Sequence, residues 1–218
     1  MLFSYFKRFC HLTLGLFIVS IGCYFSIQAN VGLAPWDAFS MGLSYKTGLS
    51  YGDIMALSGL LIIIFDILMK EKVGFGTFMN AVIIGHFTDL HLHLNWLPQM
   101  NSVILGVLML FVGQFILAYG TYYYIKPGLG AGPRDGLMVG LAKRLPKVPI
   151  GIIRGSIEAC ALFIGWICGA KVGIGTVIAV FGISFILQFT FRLIKFDVKS
   201  VRHENIADTL HQWFPIKK

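Results

Sequence analysis

Arg154 and Glu158 lie four residues apart in an apolar run, which puts both on one face of a helix. Ionisable groups inside such a run are costly and mark ion or solute pathways. The pair reads either as a titratable acid held by an arginine that attracts an anionic solute, or as a structural ion pair sealing two helices. Asp37, Arg134 and Asp135 stand at the starts of two short Gly/Pro segments, where helix N-termini attract anionic groups. Capping alone also accounts for the two aspartates, and Arg134 alternatively snorkels to an interface. Gln114 and Asn80, inside apolar runs, suit a solute contact or an amide bridge between helices. The candidate solute-binding residues are therefore Asp37, Gln114, Arg134, Asp135, Arg154 and Glu158. His86, Asp89, His91 and His93 crowd one helix end without a closed ligand set, so they read as an interfacial polar cap and no metal site is assigned. P-loop, zinc-protease, nucleophile-elbow and CxxC patterns are absent, which gives no basis for an enzyme or a cofactor.

These residues must be positioned inside lipid. The 218 residues are 56% hydrophobic and 13% charged, with a mean hydropathy of +0.77, well outside the soluble range. The net charge of +8 is spread in short Lys/Arg clusters between apolar runs, which reads as topology signalling and excludes a nucleic-acid face. Cys10, Cys23, Cys160 and Cys168 share no metal or disulfide spacing and read as small packing residues. The segment 1–29 has a basic start and a long apolar run, and is expected to be a retained helix and not a signal peptide.

Six apolar runs, 9–29, 54–69, 75–87, 103–124, 150–168 and 174–191, are spanning candidates. Two segments of about 15 residues, 31–45 and 129–142, are too short and too acidic to span comfortably. The chain is also duplicated. Gly15, Gly22 and the block Val31–Ala38 match Gly113, Gly120 and Leu129–Gly136 at an offset of 98, and Lys72–Thr77 matches Lys171–Thr176 at an offset of 99. At the offset of 98, Arg154 and Glu158 face Ala56 and Leu60 in the first copy.

Charge asymmetry chooses between topologies. Six spans with both termini cytoplasmic put 15 Lys/Arg inside and only Lys46 and Lys171 outside, a better split than eight spans give. The short segments then re-enter from opposite faces as half-helices, with Pro35 and Pro133 at first helical positions and small residues at every fourth place. Asp66, four residues before Lys70, reads as a solvated pair at the inner face. Beyond residue 194 the chain is basic and amphipathic, with Ile206, Leu210, Trp213 and Phe214 on one helical face, suiting either an interfacial helix or a frayed tail.

The duplicated Gly-x-x-Pro-x-Asp segment, the Val-Gly-x-Gly-Thr turns and the chain length resemble the bacterial YitT/YczE family of membrane proteins over residues 9–195. The resemblance implies a bacterial cytoplasmic-membrane protein and favours six spans, while implying no substrate and no functional residues.

The expected fold is an all-α polytopic membrane protein with six transmembrane helices in two inverted three-helix repeats, each with a short re-entrant or half-helix segment. The first repeat covers 1–100, the second 101–194, and a cytoplasmic basic tail 195–218. The expected activity is alternating-access transport of a small, anionic solute; the rival is a non-transporting scaffold that docks a cytoplasmic protein through its basic face. Lipid and a small-molecule solute are the expected partners, a homodimer or a cytoplasmic protein fits beside them, and nucleic acid does not.

Overall fold

The computed structural model describes residues 2–206 and 209. Eight α-helices follow one another: α1 (Leu2–Gln28), α2 (Pro35–Thr47), α3 (Tyr51–Leu68), α4 (Phe75–Leu94), α5 (Val103–Ile125), α6 (Pro133–Arg144), α7 (Ile150–Ile167) and α8 (Ile174–Leu193). No strand occurs among the described residues. Five helices, α1, α3, α5, α7 and α8, are long and apolar enough to cross a membrane. The expected sixth span, α4, has 20 residues, but Asn80, His86, Asp89, His91 and His93 keep it below that apolar standard. With 13 and 12 residues, α2 and α6 reach about 20 Å at 1.5 Å per residue, short of a hydrocarbon core of about 30 Å.

The outside of the bundle is apolar. Leu57, Leu61, Ile64, Ile104, Leu108, Phe181 and Phe185 are all exposed, as a lipid-facing surface requires. The multi-pass membrane protein buries a smaller core at α1, where Leu12, Leu16 and Tyr24 are fully enclosed.

Helix α1 packs along α5. A methyl built on Gly22 would lie 2.7 Å from the Gly113 carbonyl oxygen, and one on Gly120 would lie 2.9 Å from that of Gly15. Only glycine lets the backbones meet this closely in lipid, which explains the repeated glycine spacing. Residue numbers run in opposite directions along the contact, so these two counterpart helices are antiparallel.

A second pair of contacts explains the Val-Gly-x-Gly-Thr motif. Gly76 N donates to Leu129 O at 2.7 Å, and its counterpart Gly175 N donates to Val31 O at 2.8 Å. The extended segment before each short helix thus binds the turn of the other copy. Gly32 and Gly130 take φ of +121° and +134°, which suits glycine, and a side chain on either would strike Thr176 or Thr77. Those threonines accept from Gly173 N at 3.2 Å and Gly74 N at 3.1 Å, closing the first turns of α8 and α4.

Symmetry fails between α3–α4 and α7–α8. Helices α3 and α4 pack tightly, with a methyl on Gly59 falling 2.7 Å from Ala81 Cβ, whereas α7 and α8 barely meet and Gly151 and Gly155 have nothing within 4 Å. Helices α3 and α7 both have 18 residues and begin 99 apart. The counterparts of Arg154 and Glu158 are therefore Met55 and Gly59, not Ala56 and Leu60, because the extra residue falls in the connection before α7.

Asp66 also departs from expectation. It is 1% exposed beneath α6, without Lys70, while the neighbouring Glu71 binds Lys143 at 2.7 Å. The tail, past a 3-10 turn at Val198–Ser200, runs back over the bundle as a strap: Glu204 N donates to Gly128 O, Ile206 N donates to Val73 O, and Arg8 pairs with Glu204 at 2.8 Å. The expected amphipathic face at Leu210, Trp213 and Phe214 lies outside the described residues.

Candidate functional site

Each short helix begins with an extended segment that the opposite copy holds, then Pro at the first position, which fixes φ and starts the helix. The caps Ala34 and Gly132 carry no side-chain acceptor. Residues two and three of each helix, Trp36 and Asp37 in one and Arg134 and Asp135 in the other, therefore meet at the centre of the bundle. The Arg134 guanidinium lies 4.3 Å from the centroid of the Trp36 ring. These two residues are counterparts in the duplication, so the diverged pair forms a cation–π contact where the copies face each other.

The remaining partners divide the charges unequally. Asp37 is buried and accepts the Tyr51 hydroxyl at 2.8 Å, which is a contact to α3 and not a helix cap. Arg134 is in electrostatic range of Asp37 and Asp135 but has no hydrogen bond or ion pair to any described residue. Asp135 likewise has no hydrogen-bonded side-chain partner. On α7, Arg154 Nε donates to Glu158 Oε1 at 2.9 Å, with the arginine side chain half exposed. Gln114 on α5 is buried and its Oε1 has no partner.

All six candidates, Asp37, Gln114, Arg134, Asp135, Arg154 and Glu158, line one cavity of about 390 Å³. Asn80, Trp36 and Tyr124 join them, and a face of α8 formed by Val180, Ile183, Leu187 and Phe191 closes the apolar side. Sequence reasoning left out that face, because nothing distinguishes a cavity-facing apolar residue from a lipid-facing one. The lining follows α5 from Gln114 to Ile125, α7 from Arg154 to Glu158 and α8 from Ala179 to Phe191. It therefore extends to the bundle end that carries Lys126, Arg144, Lys147 and Arg192.

The cavity occupies the place of the closed contact in the first copy. Gly59 and Ala81 touch there, and their counterparts Glu158 and Val180 both line the cavity. Two arginines and three acids at the edge of an apolar volume can clasp a small polar solute; the unpaired Arg134 offers forked donors to a carboxylate or phosphate.

The histidine-rich end of α4 lies elsewhere. Asp89 accepts from Gly52 N at 2.9 Å, and His91 is packed by Phe17, Tyr24 and Trp96. No group of three metal-ligating side chains gathers among the described residues.

Residues 6–192 match a family of unknown function, DUF6198. The chain is 29% identical to an uncharacterized protein of Haemophilus influenzae, covering 87% of this chain and 85% of the relative. It is 31% identical to the uncharacterized membrane protein YczE of Bacillus subtilis over 81% of each chain, and 28% identical to YyaS of the same species over 79% of this chain and 87% of the relative. No solved structure matches. The protein thus belongs to the DUF6198 family and is a relative of the membrane protein YczE.

Proposed function

We propose that the protein is a secondary transporter of a small solute bearing an anionic group, with Arg134 as the anion-clasping residue. The observation that carries the reading is an arginine with no hydrogen bond or ion pair to any described residue, stacked on its own repeat counterpart Trp36 and lining a cavity. An arginine held that way retains its donors for a ligand. The copies act as inverted repeats: counterpart helices α1 and α5 run antiparallel, and the joints at Gly76 and Gly175 recur in each half. α4 serves as the sixth span, its polar end capping the outer face, and both termini lie with the Lys/Arg-rich end on the cytoplasmic side.

In this arrangement the cavity faces the cytoplasm. Closure of α7 on α8, as α3 already closes on α4, together with opening of α3–α4, turns the site to the other side. The scaffold reading is weaker on the basic face, because Lys143 is already paired with Glu71.

The test is thermal stability of purified protein against carboxylates, phosphate esters and amino acids, followed by flux in proteoliposomes. At 100 times its Kd a ligand adds about 2.7 kcal/mol. One solute class should stabilise the wild type in proportion to its concentration, leave Arg134→Gln unshifted, and cross the membrane only with the wild type. Equal stabilisation of both proteins, or no flux for any class that binds, sinks the proposal.

A further inference from the structure

Outside the cavity, one acid has no structural explanation. Asp66 is 1% exposed at the end of α3, and its Oδ1 is buried with no partner. No described residue donates a hydrogen bond to either carboxyl oxygen. The carboxyl lies flat on α6, so that a methyl on Gly136 would fall 2.6 Å from Oδ2 and 3.1 Å from Oδ1. A bare carboxylate without donors in a buried helix crossing is costly, and the neutral acid costs much less.

The symmetric crossing shows that packing does not demand this acid. There α7 crosses α2 with Gly165, the counterpart of Asp66, against the backbone of Ala38, the counterpart of Gly136. One crossing is thus sealed by a glycine and the other holds an ionisable group against the helix that carries Arg134 and Asp135. The charged groups in range of Asp66 are Glu71 on its own chain segment and Asp135 on α6; α2 and α4, also packed on α3, bring none. Among the described residues no cation is in range to balance a negative charge.

We propose that Asp66 is a proton-binding site, occupied while α6 lies on α3 and emptied when α6 lifts and water reaches the carboxyl. The proton goes from the carboxyl to water on opening and returns on closing, with no other bond made or broken. Its role as the coupling site of a transporter rests on the transport reading; the proton site does not. Solute at Arg134 and a proton at Asp66 then act on two faces of the same short helix.

Infrared difference spectroscopy of purified protein, titrated from acid to alkaline pH without solute, reads protonated carboxyl groups directly. A protonated-carboxyl component that survives above the ordinary carboxylate range should be present in the wild type, persist in Glu71→Gln and Asp135→Asn, and be lost in Asp66→Asn. Gly136→Ala keeps the acid but drives a methyl into it, so the band should move in frequency. A band unchanged by both Asp66→Asn and Gly136→Ala overturns the proposal, and Gly136→Ala decides the matter if Asp66→Asn does not fold. A band that belongs to Asp66 in a protein that moves no solute would leave the proton site standing and remove transport alone.

Discussion

Helices α3 and α4 close on each other while their counterparts α7 and α8 stand apart, although both pairs leave the same kind of turn. The joints that hold them, Gly76 on Leu129 and Gly175 on Val31, differ by 0.1 Å in hydrogen-bond length. Difference therefore arises beyond the turns, in what the faces carry. The first copy places Gly59 against Ala81, and the second places Glu158 across from Val180. A small pair permits backbone contact; an acid with a valine opposite it leaves room that the cavity fills. The duplication supplies a frame common to both halves, and a few diverged side chains close one half and leave a cavity in the other.

The strongest way to break that comparison is to exchange the residues. Gly59→Glu plants an unpaired acid in the closed α3–α4 contact and should cost about 4 kcal/mol, seen as a large fall in the unfolding temperature or loss of monodisperse protein. The mirror change, Glu158→Gly, removes a partly exposed ion pair and adds a helical glycine, for about 1 kcal/mol. Similar losses in the two variants would mean that α7–α8 is as closed as α3–α4, and the comparison would fall.

The common frame can be tested separately. Thr77→Val and Thr176→Val each remove the acceptor that closes the first turn of α4 or α8. Each should cost about 1 kcal/mol, and the two losses should agree. A clear inequality would show that the strap through Glu204, which among the described residues reinforces the first joint alone, stabilises that joint beyond what the duplication supplies.

The frame was legible because lipid makes its grammar strict. Glycines seven apart, a Pro-x-Asp start and a Val-Gly-x-Gly-Thr turn each have a specific backbone job, and each job recurs in the other copy. The six candidate residues converge on one cavity because a polar group inside an apolar run has few places to face. What stayed hidden lacked side-chain signatures. The single inserted residue lies in the connection before α7, so the offset of 98 pairs Glu158 with Leu60, whereas the helix starts 99 apart pair it with Gly59. Asp66 and Lys70 have the spacing of a solvated pair, yet α6 covers the acid, and no local pattern announces a helix that arrives from 70 residues away. The strap is held mainly through backbone groups at Gly128 and Val73, which no residue type advertises.

The smallest stability effect discriminates most finely between the two readings of the Arg154–Glu158 pair. An i,i+4 pair with its arginine side chain half exposed contributes no more than about 0.5 kcal/mol, since water competes for both charges. α7 has almost no contact with α8, so the pair has no second helix there to seal. Arg154→Gln should therefore leave the unfolding temperature within the scatter of the wild type. In the solute titration the same variant should shift the midpoint several-fold if the proposed transport reading holds, because Arg154 lines one cavity with Arg134, the residue proposed to clasp the anionic group. A marked loss of stability with an unchanged titration would return the pair to a structural role and leave Arg134 to act without it. The open half of the molecule would then owe its cavity to Glu158 as a spacer, and its recognition chemistry to the central arginine stacked on Trp36.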